Sequence, residues 1–331
     1  MVAVLGAGSW GTTLAVMLAR QGRQVRLWEF RLDAVRRMRE ERENREFLPG
    51  YPLPDQIELT DDIREAVDGC GVCLMAVPSH AMRQTAARLP GMPPNAIVVS
   101  ATKGLEERTH FRMSEVLADA WQGSYDPARF VVLSGPSHAE EVIAGLPTSV
   151  VAASSNLSAA REVQHQISGE RFRVYATDDL IGVELGGSLK NVIAIAAGMA
   201  AGLKFGDNIM GALLTRGMAE ISRLGVKLGG RPATFAGLSG IGDLITTCCS
   251  RHSRNRFVGE QLGQGRKLAE ILSGMTMVAE GIRTTSSAWE LAQREGVDMP
   301  ITEQVHRILF EDADPLQATT ELMTRRLKVE D

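Results

Sequence analysis

Hydrophobic and polar positions follow two different patterns along this chain, and the pattern changes near residue 177. Before that point, short apolar segments alternate with amphipathic segments of helical period. Such alternation predicts a doubly wound parallel sheet with helices on both faces. After that point the pattern is almost wholly helical. We therefore predict an α/β domain at 1–177 and an all-α domain at 178–331, with a charged tail at 325–331.

The boundaries of the individual elements follow from the same patterns. Strands are predicted at the apolar segments 2–5, 24–28, 72–77, 96–100, 130–133, 148–153 and 172–175. Helices are predicted at 12–21, 33–43, 80–89 and 157–167, with another starting at 60–62 and a long one starting at 178–179. Residues 47–61 are rich in proline and are predicted as a loop.

A glycine-rich turn separates the first predicted strand from the first predicted helix. Its glycines, Gly6, Gly8 and Gly11, have the spacing G-x-G-x-x-G. In this context the first glycine permits the turn, the second lets the backbone approach a pyrophosphate, and the third allows close packing of helix and strand. The helix N-terminus offers free N–H groups to the anion. The motif predicts a dinucleotide cofactor and a Rossmann-type N-terminal domain.

Two charged residues at the end of the second predicted strand bear on the choice of cofactor. Glu29 can accept a hydrogen bond from the adenosine ribose, as an acid in this position does in NAD-binding proteins. Arg31 can bind the 2′-phosphate of NADP or can be a solvated arginine. These two residues favour opposite cofactors, so the sequence leaves the choice between NAD and NADP open.

Composition excludes some classes of function. The net charge of −4 gives no indication of a nucleic-acid-binding surface. The longest apolar stretch, 192–203, is shorter than the roughly 18 residues of a membrane span and is predicted to be a buried helix. The first strand starts at once, so we expect no secretory signal and a cytoplasmic location. Cys70 and Cys73 are expected to be buried thiols rather than a redox or metal site, and no metal is predicted.

Ligands of open α/β sheets bind beyond the carboxyl ends of the strands, so the loops at those ends are candidates for function. The three loops are 78–80, 102–104 and the one that follows 130–133. Lys103 is a candidate for binding an anionic ligand. Ser137 is predicted to cap a helix that starts there, and His138 is either a general base or a satisfied histidine in the first turn of that helix.

The helical half contains polar residues that an ordinary core would not hold. Lys190 lies in an apolar, glycine-rich helix and needs a partner or a ligand there. Asp243 follows a glycine-rich turn and is either functional or only a helix cap. The segment 250–256 interleaves arginines with serine and asparagine, which favours phosphate binding. Glu280 can reach a cofactor or can cap the helix that follows.

Six motifs in this order resemble the bacterial NAD(P)-dependent glycerol-3-phosphate dehydrogenases. They are Gly6-Ala-Gly-Ser-Trp-Gly11, Lys103-Gly-Leu-Glu106, Ser134-Gly-Pro-Ser-His-Ala139, Leu189-Lys-Asn191, Gly237-Leu-Ser-Gly-Ile-Gly-Asp243 and Ser253-Arg-Asn-Arg256. The resemblance covers nearly the whole chain. It implies a Rossmann domain followed by a helical domain, NAD(P)H as cofactor, a small-molecule substrate, and a cytoplasmic homodimer that supplies glycerol 3-phosphate for phospholipid synthesis.

The resemblance also implies a role for each residue of the motifs. Lys190 corresponds to the catalytic proton acceptor, with Lys103 and Asp243 beside it. The cofactor would be bound by Ser9, Trp10, Arg31, Lys103, Ala139, Arg254, Val278 and Glu280. The glycine turn and the second strand add Gly6, Gly8, Gly11 and Glu29 to this predicted cofactor site. The substrate would be held by Lys103, Gly135, Ser137, Lys190, Asp243, Ser253, Arg254 and Asn255.

Two alternatives remain beside this function. One is a related β-hydroxyacid dehydrogenase acting on a substrate such as 6-phosphogluconate, which also combines a Rossmann domain with a helical domain and a lysine. The other is a non-catalytic protein that senses nicotinamide cofactors, for which a basic recognition module would be expected and is not found.

Overall fold

The computed structural model describes residues 1–89, 91–275, 277–327 and 329, so the predicted charged tail lies partly outside the described residues. The N-terminal part is built on one eight-stranded sheet with the order β3-β2-β1-β4-β5-β6-β7-β8. The strands are β1 (Val2–Leu5), β2 (Val25–Trp28), β3 (Ile57–Thr60), β4 (Val72–Met75), β5 (Ile97–Ser100), β6 (Phe130–Ser134), β7 (Thr148–Ala153) and β8 (Phe172–Thr177).

Helices cover both faces of this sheet and then make up the C-terminal part. The helices of the sheet region are α1 (Ser9–Arg20), α2 (Leu32–Glu41), α3 (Ile63–Val67), α4 (Met82–Ala87), α5 (Met113–Trp121), α6 (Ala139–Ile143) and α7 (Leu157–Ile167). Those of the helical region are α8 (Leu180–Gly202), α9 (Asp207–Lys227), α10 (Pro232–Phe235), α11 (Asp243–Cys249), α12 (Arg254–Gly263), α13 (Leu268–Ser273), α14 (Glu280–Glu295), α15 (Pro300–Phe310) and α16 (Pro315–Met323).

The direction of the strands differs in part from the prediction of a parallel sheet. The first six strands in chain order are parallel, but β7 pairs antiparallel with β6 and β8 pairs parallel with β7. An apolar segment has the same pattern whichever way it runs, so the pattern alone cannot reveal this reversal. The first six strands therefore present their carboxyl ends at one edge of the sheet, where a dinucleotide is expected to bind.

The prediction of a loop at 47–61 was wrong at its end, because β3 occupies Ile57–Thr60. The prolines that favoured a loop all precede this strand, and β3 is held by main-chain pairing with β2. Helix α5 was not predicted. The predicted helix at 80–89 begins as a 3₁₀ turn at Ser79–Ala81 before α4.

Helix α8 is the centre of the helical region. By length and composition it is the one helix among the described residues that could cross a membrane, yet 83% of its most apolar window is buried inside the protein. This agrees with the predicted buried helix at 192–203. The helix packs against α12, α9, α14 and α11, as expected of a core helix.

Glycines bring α8 and α12 into backbone contact. A Cβ atom built on Gly259 would lie 1.9 Å from the carbonyl oxygen of Ile195, and one built on Gly198 would lie 2.0 Å from that of Arg256. Backbone atoms cannot give way as the end of a flexible side chain can. The glycines thus determine how closely the start of α12 approaches α8.

We expect Gly259→Ala to lower the free energy of unfolding by about 3 kcal/mol, at the upper end of the cost of overpacking. Gly211→Ala is the matched control, because Gly211 is exposed within α9 and a Cβ there meets nothing within 4 Å. Since alanine favours helix over glycine, the control should gain about 0.5–1 kcal/mol. Denaturant unfolding measures both values. A Gly259→Ala variant as stable as the wild type would show that the helices separate without cost.

Candidate active site

The glycine-rich turn has the geometry that a pyrophosphate requires. Gly6 has φ of +107°, and a Cβ on Gly11 would lie 1.9 Å from the carbonyl oxygen of Gly6. A Cβ on Gly8 would meet nothing within 4 Å, so the space above it is open. No side chain caps α1, which leaves its first N–H groups available to an anion. These residues fit the diphosphate of a dinucleotide.

The segment before β3 is anchored on this turn. The Asn44 side chain donates to the carbonyl oxygen of Ala7 at 2.7 Å and to Thr12 Oγ1 at 2.8 Å. Ser9 Oγ donates to the carbonyl oxygen of Phe47 at 2.8 Å, and Trp10 packs partly against the core of the sheet region. Asn44 was not predicted as a functional residue, because it lies between the predicted helix at 33–43 and the predicted loop at 47–61.

Glu29 and Arg31 form an ion pair with each other. Arg31 Nε donates to Glu29 Oε1 at 2.9 Å, and Arg31 Nη1 donates to Glu46 Oε1 at 2.9 Å. From sequence, Glu29 and Arg31 were expected to act independently and to favour opposite cofactors, and Glu46 was not identified. The roles predicted for Glu29 and Arg31 stay predictions, and their pairing with each other and with Glu46 was not predicted.

At the carboxyl end of β5, two lysines share one carboxylate. Asp243 accepts a hydrogen bond from Lys103 Nζ at 2.7 Å through Oδ2 and one from Lys190 Nζ through Oδ1. Lys190 Nζ also donates to Thr247 Oγ1 at 2.6 Å, and Lys103 Nζ to the carbonyl oxygen of Gly135 at 3.1 Å. Thr247 was missed, although it lies one helical turn after Asp243. Lys190 and Asp243 are both buried.

Burial changes the acidity of this cluster. It lowers the pKa of Lys190 to about 7, an effect that the carboxylate of Asp243 opposes and the charge of Lys103 reinforces. Burial by itself would raise the pKa of Asp243. The charges of Lys103 and Lys190 outweigh this effect and hold the pKa of the Asp243 carboxyl below its ordinary value. Asp243 therefore stays ionised beside Lys103 when Lys190 loses its proton. The alternative that Asp243 is only a helix cap is wrong, because Gly242 occupies the cap position of α11 and no side chain caps that helix.

The loop after β6 approaches the same cluster. Ser137 Oγ donates to the carbonyl oxygen of Gly135 at 3.0 Å, and α6 begins at Ala139 with His138 in the cap position. The prediction that Ser137 caps this helix was therefore wrong, because its hydroxyl is turned back to its own loop. Burial lowers the pKa of His138, whose Nε2 lies 3.5 Å from the carbonyl oxygen of Thr246. This favours the satisfied histidine over the general base.

The start of α12 carries the predicted phosphate-binding residues. Ser253 caps this helix by accepting a hydrogen bond from the backbone N–H of Arg256 at 3.2 Å. Asn255 donates to Asn191 Oδ1 at 3.0 Å and accepts from the N–H of Gly281 at 2.9 Å. Arg254 is exposed, and its guanidinium makes no hydrogen bond or ion pair with the other described residues. Although part of the side chain reaches solvent, desolvation by neighbouring groups lowers the pKa of Arg254, and the charges of Glu280 and Glu140 oppose this shift.

The start of α14 meets the sheet region directly. Glu280 accepts hydrogen bonds from the backbone N–H of Ser79 at 3.2 Å and from its hydroxyl at 2.5 Å. Val278, in the loop before α14, is 41% exposed. Residue 276 of the same loop lies outside the described residues. Ser79 belongs to the loop 78–80 that the sequence indicated as a functional loop, but its partner could not be predicted.

Cys70 and Cys73 are both buried, and burial raises the pKa of the Cys70 thiol to about 11. Within the described parts of the chain, no group of three or more histidine, cysteine, aspartate or glutamate residues could hold a metal ion.

An open α/β sheet with this glycine turn, a helical region and a buried lysine–aspartate cluster define a nicotinamide-dependent dehydrogenase. The family sequence model for the N-terminus of NAD-dependent glycerol-3-phosphate dehydrogenase matches residues 1–160, and the model for its C-terminus matches residues 179–320. The chain belongs to this family, which confirms the resemblance seen in the motifs.

Individual relatives agree with this assignment. An NAD(P)+ glycerol-3-phosphate dehydrogenase of Pelotomaculum thermopropionicum is 53% identical over 325 residues, which cover 98% of this chain and 93% of that protein. The crystal structure of glycerol-3-phosphate dehydrogenase from Coxiella burnetii is 43% identical with a TM-score of 0.93, covering 98% of both chains. The enzyme of Saccharomyces cerevisiae, at 24% identity and a TM-score of 0.82 over 96% of this chain and 98% of that one, supports the fold alone.

Two variants should move the pKa of Lys190 in opposite directions. Asp243→Asn removes the charge that stabilises the ammonium form and should lower the pKa by about one pH unit or more. Lys103→Gln removes a repelling charge and should raise it. NMR titration of lysine-labelled protein measures both, with Lys204→Gln, at an exposed position, as the control. A shift of the same sign in both variants would contradict the described electrostatics.

Proposed function

We propose that this chain catalyses the reversible reduction of dihydroxyacetone phosphate to sn-glycerol 3-phosphate with NADH or NADPH. The observation that carries the proposal is the buried pair of Lys190 and Asp243 beside Lys103, at the edge of the sheet that carries the glycine turn. The names of the relatives support the same activity.

Lys190 is the proposed acid and base. A nicotinamide cofactor, when bound, would supply or accept the hydride. In the direction of oxidation, the neutral amine of Lys190 takes the proton of the C2 hydroxyl, which a pKa of about 7 permits near neutral pH. In the direction of reduction, its ammonium form gives that proton to the oxygen on C2. Lys103 stabilises negative charge on the same oxygen, and Asp243 holds both amines in place.

The phosphate of the substrate is proposed to bind at the start of α12. The guanidinium of Arg254, which forms no ion pair with a carboxylate among the described residues, lies there, and the helix N-terminus adds a favourable field for an anion. Ser253 and Asn255 order this turn through the hydrogen bonds described above, and Gly135 and Ser137 complete the proposed substrate site. Remote binding of the phosphate orients C2 toward Lys190.

The cofactor is proposed to lie along the carboxyl edge of the sheet. The glycine turn and the first residues of α1 would hold the diphosphate, and Glu29 and Arg31 would bind the adenosine end. Ala139 would contact the nicotinamide, and Arg254, Val278 and Glu280 would close over the cofactor.

We further propose that residues 1–177 and 178–331 act as two domains that both contribute residues to the proposed active site. The change from sheet to helix between β8 and α8 supports the division. The resemblance to the bacterial enzymes supports a cytoplasmic homodimer that supplies glycerol 3-phosphate for phospholipid synthesis. Sedimentation analysis tests the dimer.

Turnover of dihydroxyacetone phosphate tests the proposed reaction. The wild type should oxidise NADH or NADPH when this ketone is added. Lys190→Ala should lower kcat by about 10²–10⁴-fold, the usual contribution of a general acid, while cofactor binding, followed by fluorescence, survives. Lys204→Ala serves as the control for loss of a lysine at an exposed site.

The same assay separates the alternatives. Preference for 6-phosphogluconate over glycerol 3-phosphate as the alcohol would replace the proposal by the related β-hydroxyacid dehydrogenase. Cofactor binding without turnover of any phosphorylated substrate would favour a sensor. Near-normal turnover in Lys190→Ala would remove the proposed mechanism.

Arg254→Ala should raise KM for dihydroxyacetone phosphate by about 10–100-fold, because a charged hydrogen bond to the phosphate is lost. Arg256→Ala is the matched control on the same helix, where the guanidinium pairs with Glu260 at 3.2 Å. Steady-state kinetics at fixed cofactor concentration measure both. Equal KM values in the two variants would place the phosphate elsewhere.

A further inference from the structure

The end of β2 and the segment before β3 form one preorganised surface beside the glycine turn. The N–H of Gly6 donates to the carbonyl oxygen of Trp28 at 3.1 Å, which places the residue after β2 next to the turn. Asn44 and Phe47 are held on the same turn by the hydrogen bonds of Asn44 to Ala7 and of Ser9 to Phe47. Glu46, between them, is therefore held near the position where the adenosine ribose is expected.

Two carboxylates already accept hydrogen bonds from the guanidinium of Arg31, the group that could bind a 2′-phosphate. Glu29 Oε1 accepts from Arg31 Nε at 2.9 Å and from its backbone N–H at 3.2 Å. Glu46 Oε1 accepts from Arg31 Nη1 at 2.9 Å. The Glu46 carboxylate is the largest of the influences that raise the pKa of Arg31 above its ordinary value, with Glu29 next.

The surroundings of this cluster carry an excess of negative charge. Glu46 also lies 3.8 Å from Arg37, and Arg37 pairs with Asp33 at 2.6 Å. Three carboxylates thus accompany two guanidinium groups. A 2′-phosphate would bring about two further negative charges and would have to displace Glu46 from Arg31. A free 2′-hydroxyl brings no charge, and Glu29 can accept a hydrogen bond from it through Oε2, because both hydrogen bonds from Arg31 go to Oε1.

We infer that Glu46 is a specificity-determining residue: by engaging Arg31 together with Glu29, it makes this chain select NAD(H) over NADP(H). The inference rests on the proposed function, because it concerns the same cofactor site. With glutamine in place of Glu46, Arg31 keeps only its bonds to Glu29 and Arg37 keeps its pair with Asp33. A 2′-phosphate then meets one carboxylate fewer at Arg31, so the preference weakens or reverses.

Direct binding measurements test this selection. Fluorescence titration of the full chain with NADH and with NADPH gives the two Kd values. We expect the wild type to bind NADH at least about tenfold more tightly than NADPH, and Glu46→Gln to shift the ratio of Kd values toward NADPH by about 5–10-fold. Glu41→Gln is the matched control, because it removes the same charge nearby and Glu41 pairs with Arg45 instead of Arg31. The control should leave the ratio unchanged.

A second variant shows whether the effect acts through Arg31. In the double variant Arg31→Ala and Glu46→Gln, the gain in NADPH binding should disappear. The inference is overturned if the wild type binds NADPH as tightly as NADH, if Glu46→Gln and Glu41→Gln shift the ratio equally, or if the double variant keeps the gain. Absence of turnover with dihydroxyacetone phosphate and either cofactor, with these binding ratios intact, would instead overturn the proposed function alone.

Discussion

One buried carboxylate joins the sheet region to the helical region at the site. Asp243 starts α11, Lys103 follows β5, and Lys190 lies in the middle of α8. A buried charge is costly unless it is paired, and each member of this trio would be left unpaired if the others moved away. The requirement for mutual pairing therefore brings three separate elements to one point. It also provides an amine with a pKa of about 7 next to a carboxyl group whose pKa is held below its ordinary value.

The position of α8 is determined by contacts on both of its sides. Toward the sheet region, the buried carboxylate of Glu184 accepts from Arg112 at 2.8 Å and from the N–H of Ser114 at 2.9 Å. Ser188 Oγ also accepts from the N–H of Gly104 at 3.0 Å, immediately after Lys103. Toward the helical region, the glycine contacts leave no free space between the backbones of α8 and α12. Lys190 is thus carried on a helix with little freedom to move.

Local patterns were enough to predict much of the fold and part of the site. The turn at Gly6 and Gly11 could be predicted because only glycine fits its backbone contacts. Lys190 could be identified as a candidate because an ammonium group in an apolar helix is costly to bury without a partner. Strand β3 and the reversal of β7 could not be predicted, because the first depends on main-chain pairing with β2 and the second leaves no mark on side-chain pattern.

Contacts between residues far apart in sequence account for the remaining differences. Nothing near Glu46 in the chain indicates that it meets Arg31, since the contact depends on how Asn44 anchors the segment on the glycine turn. Ser137 has the chemistry of a helix cap, but its hydroxyl finds a closer acceptor in Gly135. Side-chain type predicts which interactions are possible, and tertiary structure decides among them.

The bond between Asn255 and the N–H of Gly281 has a mechanical consequence. Asn255 belongs to the turn beside Arg254, and the residue before Gly281 is Glu280, which holds the loop after β4 through Ser79. These bonds form a continuous chain from α12 through α14 to the sheet. A shift of the α12 turn is transmitted to Ser79 unless one of the links breaks. The α12 turn and the loop after β4 are therefore coupled parts of a single hydrogen-bonded frame.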